Sequence, residues 1–165
     1  MTSSRNIPIL MLGLAGLWCM AFVAAPVLRS LQIPFSSLLY SLFSEVCHQF
    51  PDRSLHIAGE PLAVCTRCSA IYFSVVTSLF ASVFIAGFHF DKYPPSWILA
   101  VAVMPMAVDV ILNLAGIHAS SIWTRVLTGV TAGLAIPFFL MPPVIEAVHQ
   151  LKEKFGGLPH AGKTE

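Results

Sequence analysis

The chain has 165 residues, 56% of them hydrophobic and only 10% charged, with a formal net charge of +1 and a mean hydropathy of +0.79. A soluble domain carries roughly 25% charged residues, so the composition excludes an ordinary water-soluble fold and makes the lipid bilayer the expected solvent and partner. The near-neutral charge and the Phe-dominated aromatics exclude a nucleic-acid partner, and the length leaves room for a single membrane domain over residues 1–165.

Residues 7–28, from Ile7 to Leu28, form an uncharged apolar run. As a helix it is about 33 Å long, enough to cross a hydrocarbon core of ~30 Å. Arg5 ahead of it and Val23-Ala24-Ala25 near its end also suit a secretory signal. The run outlasts the roughly 7–15 apolar residues of a signal core, and Pro26 would directly follow the cut, so a retained transmembrane helix is expected. The pattern then changes. Phe35, Leu38, Leu39, Leu42, Phe43 and Val46 recur at helical spacing, with Ser36, Ser37, Tyr40, Ser41, Ser44 and Glu45 filling the other side. This predicts an amphipathic helix over about 34–50, too short to span and lying at the interface. Pro34 opens it, Pro51 stops it, and Cys47 and His48 fall at its end.

Asp52 to Pro61 reads as a polar linker. The second span, 64–88, carries Cys65, Arg67 and Cys68 in its first turn and then Ser74, Ser78 and Ser82, small residues that admit a neighbouring helix. His89 to Ser96 forms a turn. The third span, 97–115, contains Pro105, an expected kink, and Asp109 with Asn113 one turn later. After a turn over Gly116 to Ser120, the fourth span, 121–145, brings Arg125 in its second turn. It then shows Gly129 and Gly133, a helix-packing pair that also suits a helix–helix oligomer. The tail, 146–165, is polar and expected to fray at its end. The predicted fold is all-α: a polytopic membrane helix bundle of four transmembrane helices plus one short amphipathic interfacial helix.

Four spans return both termini to one side. Arg5, Lys92, Lys152, Lys154 and Lys163 lie there, against Arg29 and Arg53 with the helix-end Arg67 and Arg125 on the other. Positive charge favours the cytoplasm, so a multi-pass inner-membrane protein with cytoplasmic termini and an outer-face Cys-rich segment is expected. Four separate segments then bring Cys47, His48, Cys65, Cys68, Asp109 and Arg125 to one level.

Two chemistries compete for these residues. Cys47, His48, Cys65 and Cys68 form a three-thiolate, one-imidazole set that suits zinc or another transition metal, closed and structural or open and catalytic with Asp109 near the bound water. His48 neighbours Cys47 and is its weakest member; His56 or Asp109 can take its place. Alternatively, Cys65-x-x-Cys68 at a helix start, with Arg67 and the helix dipole favouring thiolate, suits exchange with Cys47 and a thiol-protein partner. A plain structural disulfide is the simplest rival. Asp109 must find a partner inside the membrane; Arg125 is the expected one, as an ion pair or in a catalytic role. Arg53 and Arg67 suit a lipid phosphate. Tyr72 shares the face of Cys65 and Cys68, and Gln49 and Asn113 are supporting polar residues. Trp97 and Trp123 read as interface aromatics, Cys19 as mid-span packing, and His89, His118, His149 and His160 as solvated.

The chain resembles domain-of-unknown-function family 2085, a group of small bacterial and archaeal predicted membrane proteins. The resemblance rests on Cys47-His48-Gln49, on Pro51-Asp52-Arg53-Ser54, and on Val64-Cys65-Thr66-Arg67-Cys68-Ser69 with Ile71 and Tyr72. Weaker matches follow at Asp109 and at Arg125, Thr128 and Gly129, so that it spans about residues 40–133. The family usually has Gly where Ala70 stands, and Gly and Gln where Val110 and Asn113 stand. The resemblance implies a membrane protein with a Cys/His site and attaches no activity to it.

Overall fold

The computed structural model describes residues 3–84, 94–117 and 119–156. Among them, α1 (Ser3–Ser30), α2 (Phe35–Ser44), α3 (Thr66–Phe84), α4 (Ser96–Leu114) and α5 (Ile122–Gly156) carry the fold, with a hairpin of β1 (His56–Ile57) and β2 (Glu60–Pro61) between α2 and α3. The four helices long and apolar enough to cross a membrane are α1, α3, α4 and α5, so the protein is an all-α membrane bundle, as composition and periodicity predict. The end of the predicted second span (85–88), most of the following turn, His89, His118, His160 and Lys163 lie outside the described residues.

Three elements differ from their predicted bounds. The interfacial helix ends at Ser44 instead of running to residue 50. The Phe43 carbonyl, in its last turn, accepts from both Val46 and Cys47, and Gln49 then adopts a left-handed backbone at φ 51°, which a helix cannot continue through. The predicted linker contains the hairpin, closed by the two-residue turn Ala58-Gly59 with φ of 54° and 83°, the mirror-image turn that suits strand twist. The fourth helix runs past the predicted span end at Ile145 and continues through the polar stretch to Gly156; the end of the tail, where fraying is expected, lies outside the described residues. Residues such as Ala147, Gln150 and Lys152 are good helix formers, and Gln150 Nε2 donates to Glu146 Oε1 at 3.3 Å one turn back.

α3 is the central helix, flanked by α1 on one side and α5 on the other, and α4 rests on α5. The α3–α5 contact is close because of the small residues. A Cβ on Gly129 would stand 2.7 Å from the Arg67 carbonyl oxygen, and one on Gly133 would stand 2.5 Å from that of Ile71. Ser74, Ser78 and Ser82 are buried along this contact, and Ser78 Oγ donates to the Leu134 carbonyl at 3.1 Å. The Gly129–Gly133 face is thus occupied by α3 of the same chain. Two apolar cores result. Near the termini, Ile7 meets Leu79 and Met141. At the opposite end Cys19, Phe22 and Ala25 of α1 pack with Leu39 and Phe43 of α2 and with Leu62, Ala63 and Val64 ahead of α3. The second core is the floor of the candidate site.

Candidate functional site

At the N-terminal end of α3 the periodicity of 3.6 residues sends two sets of side chains in different directions. Cys65, Cys68, Tyr72 and Val76 pack on the core formed with α1 and α2. Arg67, Ala70 and Ser74 turn toward α5 and α4. The residues that read as one pocket wall therefore divide between two flanks of the same helix.

On the first flank the Sγ atoms of Cys47, Cys65 and Cys68 lie within 4.8 Å of one another, with Cys47 buried and the other two half-buried. The four cysteines are free thiols. The Cys65 backbone N–H donates to Cys47 Sγ at 3.2 Å. Hydrogen bonds from the Cys47 thiol and then the Cys68 thiol hold the Cys65 thiol well below the ordinary thiol range. The loop that presents Cys47 is tied down by Gln49, whose Nε2 donates to the Tyr40 carbonyl at 2.7 Å and to the Ala63 carbonyl at 2.9 Å. Tyr40 Oη in turn donates to the Pro61 carbonyl. Arg29 pairs with Glu60 at 3.2 Å and lies over the Tyr40 ring, 5.0 Å from its centroid. Trp18, Phe22, Phe43 and Tyr72 close the floor through edge-to-face and tilted ring contacts.

His48 stands apart from this group. It is exposed and stacks on Phe50 with centroids 5.9 Å apart, because the turn after α2 points Cys47 inward and its neighbour outward. His56, the alternative ligand, is also exposed on β1.

On the second flank the expected Asp109–Arg125 ion pair is replaced by another. Arg67 Nη2 donates to Asp109 Oδ2, and Ser120 Oγ donates to Asp109 Oδ1 at 2.9 Å. Arg125 reaches the carboxylate only through Ser120, its Nε donating to the Ser120 carbonyl at 3.3 Å. Arg67 rises from the first turn of α3 directly opposite α4, whereas Arg125 projects from α5 beneath the preceding loop. With both oxygens engaged here, Asp109 is not among the groups that converge on the sulfurs. It is the buried residue of α4, so an otherwise outward-facing apolar helix is pinned to the bundle by a carboxylate. Asn113 is half-buried one turn further on, and Arg53 is exposed, its guanidinium 5.1 Å from the Phe50 ring centroid. Sequence reasoning missed Tyr40 and Ser120; a lone hydroxyl in an interfacial helix or turn carries no spacing signal.

The profile of a family of predicted membrane proteins, DUF2085, matches residues 47–139, from Cys47 through both flanks of α3. The chain belongs to the DUF2085 family. An uncharacterized protein of Methanocaldococcus jannaschii is 37% identical over 115 residues, covering 70% of this chain and 74% of that protein. An uncharacterized protein of Methanothermobacter thermautotrophicus is 29% identical over 96 residues, 57% of this chain and 83% of its own length. No solved structure matches the chain. The DUF2085 segment begins after α1 and α2, so the floor supplied by Phe22 and Phe43 lies outside it while the three cysteines lie within. The protein is thus a multi-pass membrane protein of this family with a three-cysteine cluster able to hold a metal ion.

Proposed function

We propose that this DUF2085 protein holds a zinc-type transition-metal ion at the outer membrane face through Cys47, Cys65 and Cys68. The observation that carries the reading is the convergence of three Sγ atoms within 4.8 Å. Tetrahedral zinc with Zn–S bonds of ~2.3 Å sets its sulfurs about 3.8 Å apart, so small side-chain rotations bring the set to ligating distance. The donor chemistry also fits: a backbone N–H already bonds Cys47 Sγ, and the start of α3 favours negative charge on sulfur. Three protein ligands leave a fourth position for water or substrate, where such an ion supplies Lewis-acid chemistry. The chain's own residues do the rest. Gln49 fixes the Cys47 loop, and Phe22, Phe43 and Leu62 keep water from beneath the sulfurs. Asp109 orients Arg67, and Arg125 backs the Ser120 loop. The sidedness rests on the sequence alone, in which four spans put five Lys and Arg residues, Arg5, Lys92, Lys152, Lys154 and Lys163, on the same side as the termini.

Elemental analysis of detergent-purified protein is expected to give about one equivalent of metal, lost in the C65S/C68S double variant. Metal-free protein with Cys47, Cys65 and Cys68 all open to alkylation overturns the reading. A second reading, thiol–disulfide exchange, is favoured by the approach of Cys47 to both other sulfurs. In it the Cys47 thiolate attacks a Cys65–Cys68 disulfide and one of those sulfurs leaves as thiolate. Trapping a mixed disulfide with a partner thiol in a C68S variant supports it; clean monothiols in that variant oppose it.

A further inference from the structure

Where α3 and α5 begin, their contact gathers more hydrogen-bond donors than acceptors. Gly129 approaches Ala70, and Gly133 approaches Ser74 one turn further along both helices. One turn earlier, the same register sets Arg125 beside Thr66. Both are deeply buried, Arg125 at 7% exposure and Thr66 at 1%. Arg67, next to Thr66, is tied to Arg125 by a chain of contacts. Arg67 Nη2 donates to Asp109 Oδ2, Ser120 Oγ donates to Asp109 Oδ1 at 2.9 Å, and Arg125 Nε donates to the Ser120 carbonyl at 3.3 Å.

Donors are left over in this group. Thr66 Oγ1 and Arg67 Nε are buried with no hydrogen-bond partner, and Arg125 forms no ion pair among the described residues. The carboxylate of Asp109 has both oxygens engaged, so two guanidinium groups against one carboxylate leave a positive charge over. Burying an uncompensated charge, or a hydroxyl and an N–H without acceptors, is costly. α3 and α5 also both turn the positive ends of their dipoles to this level. What completes the group is an acceptor carrying one negative charge. The space for it is narrow: a Cβ on Gly129 would stand 2.7 Å from the Arg67 carbonyl oxygen and 2.9 Å from Ala70 Cβ. A single-atom anion suits so close a contact better than a phosphate or a carboxylate, and it accepts from several donors without a directional demand. The Arg67 side chain, 17% exposed, marks the edge from which it enters.

We propose that Thr66, Arg67 and Arg125 bind one small monovalent anion of the halide class, such as chloride, between the starts of α3 and α5. The Thr66 hydroxyl and the Arg67 Nε–H donate to it, and the Arg125 guanidinium neutralises it. The site uses none of the three cysteines, so it stands or falls separately from the metal centre.

Chloride-35 NMR of the full chain in an uncharged detergent tests it, at constant ionic strength balanced with gluconate. The protein is expected to broaden the chloride line, and bromide, but not gluconate, to remove the broadening saturably. Thr66→Val, which keeps the shape and loses the hydroxyl, is expected to weaken binding about tenfold, and Thr66→Ser to restore it. Lys154→Gln, a charge change at the other end of the bundle, leaves it unchanged. So does C65S/C68S; broadening lost in that variant would put the halide on the metal and overturn the proposal. A Thr66→Val chain that binds as tightly as the unaltered one also overturns it. Should Thr66→Val fail to fold, the unaltered chain decides: its unfolding midpoint is expected to rise with chloride or bromide over gluconate. Equal midpoints in the three salts, or no saturable broadening, overturn the proposal.

Discussion

Replacing Asp109 with Asn removes the anionic half of the Arg67 ion pair and leaves a guanidinium buried opposite a neutral amide. Both partners are sheltered, with side-chain exposures of 17% and 8%, and breaking such a pair from one side costs about 3–5 kcal/mol. Ser120→Ala removes one hydrogen bond to the same carboxylate and costs about 0.5–1.5 kcal/mol. Denaturant unfolding in detergent is expected to rank the two in that order, and equal losses would mean that the ion pair does not hold α4. That Asp109 needs a partner is legible from one carboxylate in an apolar run. Which arginine it takes is not. Arg67 and Arg125 both lie at helix starts on the correct level, and only the rotation of α3 about its axis, about 100° between Arg67 and Cys68, aims one toward α4 and the sulfurs toward α1.

The small-residue stripe of α3 and the glycines of α5 make one contact, and it tolerates no added volume. A Cβ on Gly133 would lie 2.5 Å from a backbone oxygen and 2.8 Å from Ser74 Cβ, so Gly133→Ala must part the helices and is expected to cost about 1–3 kcal/mol, read as a lower unfolding midpoint. The same change at an exposed helical site should be neutral or stabilising. The hairpin offers the opposite case. Ala58 holds φ 54° in an exposed turn, where a non-glycine residue pays roughly 1–2 kcal/mol. Ala58→Asn, better suited to that backbone, is expected to raise stability by about 1 kcal/mol in the same measurement. The contact is readable from spacing because small residues recur at fixed intervals on both helices. The hairpin is not, since Ala58-Gly59 lacks the Asn-Gly or Asp-Gly signal and its strands are two residues each. α2 ends early for a related reason: the bonds from Gln49 to Tyr40 and Ala63 join distant segments and leave no mark on local periodicity.

The alternation of spans places the sulfur cluster and the arginine network at one end of the bundle and Ser3 and Gly156 at the other. Sidedness can be tested at Asp52, exposed beside the Cys47 loop. A D52C variant is expected to react with a membrane-impermeant maleimide in intact cells, above the background of the chain carrying only its native cysteines. Labelling confined to permeabilised cells would reverse the assignment and put the thiols in a reducing compartment. α4 buries Asp109 and otherwise offers only a half-buried stripe, including Leu99, Val103, Met106 and Val110, to the bundle, so its hold is more polar than that of α3, which is locked by close packing. Loss of the ion pair should therefore loosen α4 first, visible as faster hydrogen exchange there than in α3.

The membrane class, the four spans, the Cys-rich segment and the need for a partner at Asp109 all follow from local properties: hydropathy over a bilayer's thickness, residue spacing, and a charge where charge is costly. Those properties act within a few turns of chain, and a linear string displays them. The division of the polar cluster into a sulfur flank and an arginine flank, the distance of His48 from the sulfurs and the pairing of Arg67 with Asp109 depend on how helices rotate and pack against one another. Side chains one residue apart on α3 face different neighbours, and which neighbours those are is set by contacts between segments forty or more residues apart, as between Arg67 and Asp109.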